Sequence, residues 1–188
     1  MLKSLCAVLF IFSLVISTDC RASCVNPFDA SCSFYESCLE QYCPCRNTEH
    51  SYAIDYGMKY CKRFLSLPDL SMFGTKWRES TLRCLQEVLV PELDLNNPQL
   101  CNCESMKSFA IQSHVKCYTQ QPNSICFLPA EDHEKISRII DNKDLFDAVG
   151  WQTMWDIAQE CVKQRGAAGA ASSGWNLIKV KVEGYLAN

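Results

Sequence analysis

The sequence predicts an all-α fold: a disulfide-stapled helical domain of about five to six helices. Three observations predict it. The chain carries 14 cysteines in 188 residues, a density rare where thiols are kept reduced. Apolar residues recur at the i, i+3, i+4, i+7 spacing of a helix face in successive segments. Residues 24–165 contain no strand-like alternation.

The first segment sets the compartment. Lys3 precedes an apolar run, Leu5–Ile16, of 12 residues, well short of the roughly 20 that span a bilayer. Small residues follow at Ser17 and Ala22. Residues 1–22 read as a secretory signal peptide, so the chain is expected to be secreted, extracellular and free of membrane insertion. Formal net charge is −3, which gives no reason to expect nucleic acid as a partner. Cleavage after Ala22 leaves 12 cysteines, an even set; cleavage after Ser17 keeps Cys20 and leaves an odd one, which would favour an intermolecular bridge.

The elements follow in order. Residues 24–45 are rich in cysteine, with a short helix over Ser33–Gln41, and Asn47–His50 is a polar break. Tyr52–Leu67 reads as a helix whose Tyr52, Tyr56, Tyr60 and Phe64 form one aromatic stripe, read as core; Pro68 ends it. Thr75–Leu89 is the next helix, with Trp77, Leu82, Leu85, Val88 and Leu89 apolar. Pro91 and Asp94–Pro98 form a loop. Glu104–Tyr118 is a long helix with Met106, Phe109, Ala110, Ser113 and Cys117 on one face. Pro122 and Asn123 make a turn, and Pro129 opens a helix with an acidic first turn, buried through Ile136, Ile139 and Ile140. Asp144–Gln164 closes the domain through Met154, Ile157, Ala158 and Cys161. Because Cys117 and Cys161 continue apolar faces, the cysteines are expected to staple helices across the core. From Gly166 a Gly/Ala/Ser linker opens the tail, residues 166–188; its last stretch, Trp175–Tyr185, alternates weakly at Ile178, Val180 and Val182 and reads as disorder, a short strand or an amphipathic segment docked on the body.

No catalytic motif is present. The three histidines are His50, His114 and His133, with no His-Glu-x-x-His, Gly-x-Ser-x-Gly or phosphate-binding glycine loop. His114 has no carboxylate at helical spacing to orient it as a base, and His133 reads as solvated. Two Cys-x-Cys pairs, Cys43/Cys45 and Cys101/Cys103, are tighter than the Cys-x₂₋₄-Cys of structural zinc sites; their parallel spacing suggests two stretches laddered by neighbouring disulfides. Glu92, Asp94 and Asn96 have the i, i+2, i+4 spacing that begins a calcium loop, without its glycine or closing glutamate. No cofactor and no metal site is therefore expected.

The run from Cys24 to Cys161 resembles the stanniocalcins, a family of secreted disulfide-linked hormones. The resemblance rests on cysteine order and on local segments: Tyr60-Cys61-Lys62-Arg63-Phe64-Leu65; Gly74-Thr-Lys-Trp77-x-Glu79-Ser80-x-Leu82-x-Cys84; Cys101-x₁₅-Cys117-Tyr118; Ser124-Ile125-Cys126; and the isoleucine-rich Ile136–Ile140. Carried over by position, the resemblance implies the bridges Cys24–Cys38, Cys32–Cys61, Cys43–Cys101, Cys84–Cys117 and Cys126–Cys161. Cys45 and Cys103 remain, flanking an implied bridge, and a Cys45–Cys103 bridge completes the set. The family implies a signalling factor in calcium and phosphate homeostasis, acting by binding an extracellular receptor or enzyme. The other reading of the residues is a secreted inhibitor or binding module of unrelated role. This chain departs from the family in three respects. No cysteine follows Cys161, so a homodimer would be covalent only if Cys20 is retained. No Asn-x-Ser/Thr sequon occurs, since Asn47-Thr-Glu and Asn123-Ser-Ile both fail, and there is no histidine-rich tail.

Overall fold

A computed structural model describes residue 24, residues 31–145 and residues 147–166. The expected signal peptide, Cys20 and the tail from residue 167 lie outside the described residues. Every regular element described is helical, as expected, and there is no strand among them. No described helix is long and apolar enough to cross a membrane.

The cysteine-dense start forms a π-helical turn, Tyr35–Leu39, that runs into a single α-turn, Glu40–Tyr42. The tyrosine stripe was expected on one α-helix. It is instead divided between a second π-helical turn, Ala53–Met58, and helix α1, Lys59–Leu65. The reason is steric. The Tyr35 ring presses on Gly57, where a Cβ would lie 2.4 Å from Tyr35 Cδ1. Widening the turn, with Gly57 N–H donating to Tyr52 O at 2.8 Å, lets the two π turns pack together. Tyr52, Tyr60 and Phe64 are buried.

Helix α2, Met72–Glu87, starts three residues before the expected Thr75 because the Ser71 hydroxyl caps it, accepting from Gly74 N–H. Trp77, Leu82, Leu85 and Leu89 are buried. Single 3₁₀ turns, Val90–Glu92 and Pro98–Leu100, interrupt the expected loop. Helix α3, Cys103–Thr119, is capped by Asn102. Its buried face is turned from the expected one: Ile111, His114 and Tyr118 lie inside, whereas Phe109 is 37% exposed. The cause is α2. Trp77 Nε1 donates to Tyr118 O at 3.1 Å, Thr81 Oγ1 donates to Cys117 O at 3.2 Å, and the Trp77 and Tyr118 rings meet edge-on at 5.2 Å. These contacts fix the rotation of α3.

A turn with a cis Gln121–Pro122 peptide leads through a 3₁₀ turn, Ile125–Phe127, to helix α4, Ala130–Arg138. Ile136 is buried, and Ile139 and Ile140 pack partly against the core. The last expected helix arrives in two pieces, a short turn Asn142–Leu145 and helix α5 over 148–166. Asp147 begins α5, its Oδ1 accepting from Gly150 N–H at 2.6 Å.

In an ordinary helix Gly→Ala gains about 1 kcal/mol, but at Gly57 overpacking against Tyr35, worth roughly 1–3 kcal/mol, outweighs it. Gly57→Ala is therefore expected to lower the guanidinium midpoint of the oxidised protein. A raised midpoint would show that the π turn does not depend on this contact.

Candidate functional site

The twelve cysteines meet in six bridges: Cys24–Cys38, Cys32–Cys61, Cys43–Cys101, Cys45–Cys103, Cys84–Cys117 and Cys126–Cys161. Five of these are the pairs that the family resemblance implies, and the sixth, Cys45–Cys103, joins the two cysteines it left over. Their Cα–Cα separations run from 5.1 to 5.6 Å, the usual span of a disulfide. Cys84–Cys117 pins α2 to α3, and Cys126–Cys161 pins α5 to the turn before α4. Cys43, Cys45 and Cys101 bring their sulfurs within 4.8 Å of one another. That crowding comes from two bridges lying side by side, and an oxidised pair offers no thiolate to a metal.

The candidate calcium loop does other work. Asp94 Oδ1 accepts from Asn96 N–H and Asn97 N–H at 2.9 and 3.0 Å, so its carboxylate is occupied in closing its own turn. These amides also hold its pKa below the ordinary value.

The histidines are placed differently from the sequence reading. His133, read as solvated, is 1% exposed, and its Nε2–H donates to Ile125 O at 2.7 Å. Burial lowers its pKa. Its helix position carried no signal of this, because the acceptor belongs to the preceding 3₁₀ turn. His114 is 8% exposed; its Nδ1–H is shared between Ala110 O at 2.9 Å and Ile111 O at 3.0 Å. Burial pushes its pKa down to about 4, so the ring is neutral at physiological pH. Its orientation comes from main-chain carbonyls and from the Tyr56 and Tyr118 rings at 6.0 and 5.3 Å, not from a carboxylate.

Both imidazoles line one cavity of about 80 Å³ between α3, α4 and α5. Ile111, Ile125, Ile136, Ile140 and Ile157 line it, with Met154 and Ala158 from α5 and the polar side chains of Ser137, Asp144 and Thr153. At its edge Asp144 accepts from Lys59 Nζ at 2.6 Å and from the Tyr60 hydroxyl at 2.5 Å. Asp141 binds Lys59 and Arg63 beside it. This cluster ties α1 to the segment leading into α5.

Outside the core, α5 presents Trp151, Trp155 and Val162, all more than two-fifths exposed. Their i, i+4, i+11 spacing puts them on one stripe beside the buried Ile157–Cys161 face. That spacing was visible in the sequence, but the face was not singled out. No family model, no characterised protein and no solved structure matches this chain.

A histidine held neutral by burial stabilises the fold above its unfolded pKa of about 6.5 and destabilises it as pH falls toward the folded value. For His114 the full effect is about 3 kcal/mol, developed between pH 6.5 and 4, and His133 acts in the same direction. His114→Leu is therefore expected to flatten the fall in stability between pH 7 and 4.5, followed by guanidinium unfolding. An unchanged slope would show that His114 is not charged on unfolding.

Proposed function

We propose that this protein is a secreted, stanniocalcin-like signalling factor, concerned with calcium and phosphate handling, that acts by binding an extracellular protein and carries out no chemistry of its own. The observation that carries the reading is the pairing of the cysteines: five bridges coincide with the pattern implied by the resemblance, and Cys45–Cys103 adds a rung beside Cys43–Cys101. Secretion is supported by the leader-like first 22 residues and by the number of disulfides, which persist in oxidising compartments.

The binding surface we favour is the stripe on α5. Tryptophan dominates the energetics of protein interfaces, and Trp155 holds 55% of its surface in solvent, which is unusual for its size. Val162 extends the same stripe, and the Cys126–Cys161 bridge holds the helix beneath it rigid. A preorganised face loses little entropy on binding.

Purified protein applied to polarised epithelial cells is expected to bind saturably and to change transepithelial calcium or phosphate flux. Trp155→Ala should weaken that binding at least tenfold while leaving the thermal midpoint within a few degrees of the unmodified protein. Saturable binding without any change in flux would replace the signalling reading with that of an inhibitor or binding module. Equal binding by Trp155→Ala would remove the α5 stripe from the interface.

A further inference from the structure

The exposed stripe of α5 is a seam of defined spacing. Trp151, Trp155, Ala158 and Val162 stand at i, i+4, i+7 and i+11, along one side of the helix. Trp155 and Val162 hold 55% and 45% of their surface in solvent. Ala158 between them is half-buried. A small residue flanked by large ones gives the relief into which a second helix packs.

The sequence beyond α5 carries a matching seam. Trp175, Ile178, Val182 and Tyr185 recur at i, i+3, i+7 and i+10, the spacing of a helix that packs along another. Read as a strand, the same stretch puts Trp175 and Tyr185 on the face that carries Lys179 and Lys181. Read as a helix, it gathers all four large apolar side chains on one face, with the two lysines at its flanks. A helix of only eleven residues, 175–185, is not stable alone in water, so this seam needs a face to fold against.

The connection between the two seams has the right length. α5 ends at Gly166 with φ +73°, the left-handed cap that stops a helix and turns the chain off its axis. Residues 167–174 then supply eight alanines, glycines and serines, and a chain of that length and composition reaches about 15 Å on average. A helix packed antiparallel to α5, with Trp175 level with Val162, starts about 6 Å back along the axis and about 8–10 Å to the side, within that reach. In this register Ile178 falls level with Ala158, Val182 with Trp155 and Tyr185 with Trp151. Lys181 falls level with Asp156, the carboxylate beside the stripe that the Gln152 and Gln159 amides hold in place. Tethering supplies an effective concentration in the millimolar range, so a contact too weak to hold a free peptide is occupied in the intact chain.

We propose that residues 175–185 dock on the α5 stripe as an antiparallel helix and are its occupant in the free protein. The docking itself needs no partner. Its consequence rests on the reading given under the proposed function: where the stripe meets an extracellular protein, the tail competes for it and has to leave first.

The test uses the full oxidised protein and NMR. Nuclear Overhauser contacts are expected between the Trp155 ring and the Val182 methyls, unchanged on dilution and absent between differently labelled copies in a mixture. Val182→Asp, a change beyond the last disulfide, should remove them and move the Trp155 indole N–H resonance. Absence of these contacts in the unmodified protein overturns the proposal. Contacts confined to another surface, contacts formed only between copies, or a Trp155 resonance that Val182→Asp leaves in place overturn it too. Val182→Asp is also expected to bind the epithelial cells about threefold or more tightly than the unmodified chain. Equal binding with the Trp155–Val182 contacts present upholds the docking and counts against the stripe as the partner's interface.

Discussion

The cross-links between distant segments carry the architecture. Five of the six disulfides close loops of 29 to 58 residues, and a single bridge over such a loop is worth about 3–4 kcal/mol through the entropy of the unfolded chain. The six contributions do not add. Cys43–Cys101 and Cys45–Cys103 close nearly the same loop, so once one has formed the other closes only a small ring. The second rung therefore adds little chain entropy; it stops the two strands of chain from swivelling about a single bond. The same rigidity reaches α5 through Cys126–Cys161, which is why one helix can offer an exposed aromatic stripe on one side and a cavity wall on the other.

Between the bridges, packing is completed by a few polar anchors, each chosen by geometry. The buried Asp132 carboxylate accepts from Ser71 N–H and from its hydroxyl at 3.0 and 2.5 Å. That hydroxyl in turn caps α2. Gly74 is required beside it, because a Cβ there would lie 2.3 Å from Asp132 Oδ2. Thus α4, α2 and the loop between α1 and α2 are joined through one carboxylate. The cluster of Lys59, Tyr60 and Arg63 with Asp141 and Asp144 does the corresponding work on the other side, where α1 meets the approach to α5. The neutral histidines line the cavity between α3, α4 and α5, their ring N–H groups bound by main-chain carbonyls.

How far the sequence foretold this depends on the range of the interactions involved. Helices with one strong apolar face were legible: Trp77, Leu82 and Leu85 of α2, and Leu89 just beyond its end, are all buried, because period and burial are set locally. The π turns were not, since a stripe at spacing four is compatible with either winding and the deciding contact, Tyr35 against Gly57, joins residues 22 apart in the chain. Phe109 was misplaced for a similar reason. Its own helix favours two neighbouring faces, and Trp77 on α2 selects the other one. His133 looked solvated between two acidic neighbours, yet Asp132 and His133 are both buried by partners on other segments, Ser71 and Ile125. The candidate site was therefore legible in its cysteines, whose order carries the resemblance, and illegible in its cavity, which exists only after three helices have met.

The pairing of the cysteines underlies the fold, the rigidity of α5 and the functional reading alike, so it is the property to measure. Partial reduction with stepwise alkylation, followed by mass spectrometry of the oxidised protein, distinguishes the two neighbouring rungs, which intact peptide masses cannot. The account predicts Cys43–Cys101 and Cys45–Cys103 in parallel, together with the four other bridges and no free thiol among the twelve. Crossed rungs, Cys43 with Cys103 and Cys45 with Cys101, or free thiols at these positions, would contradict it.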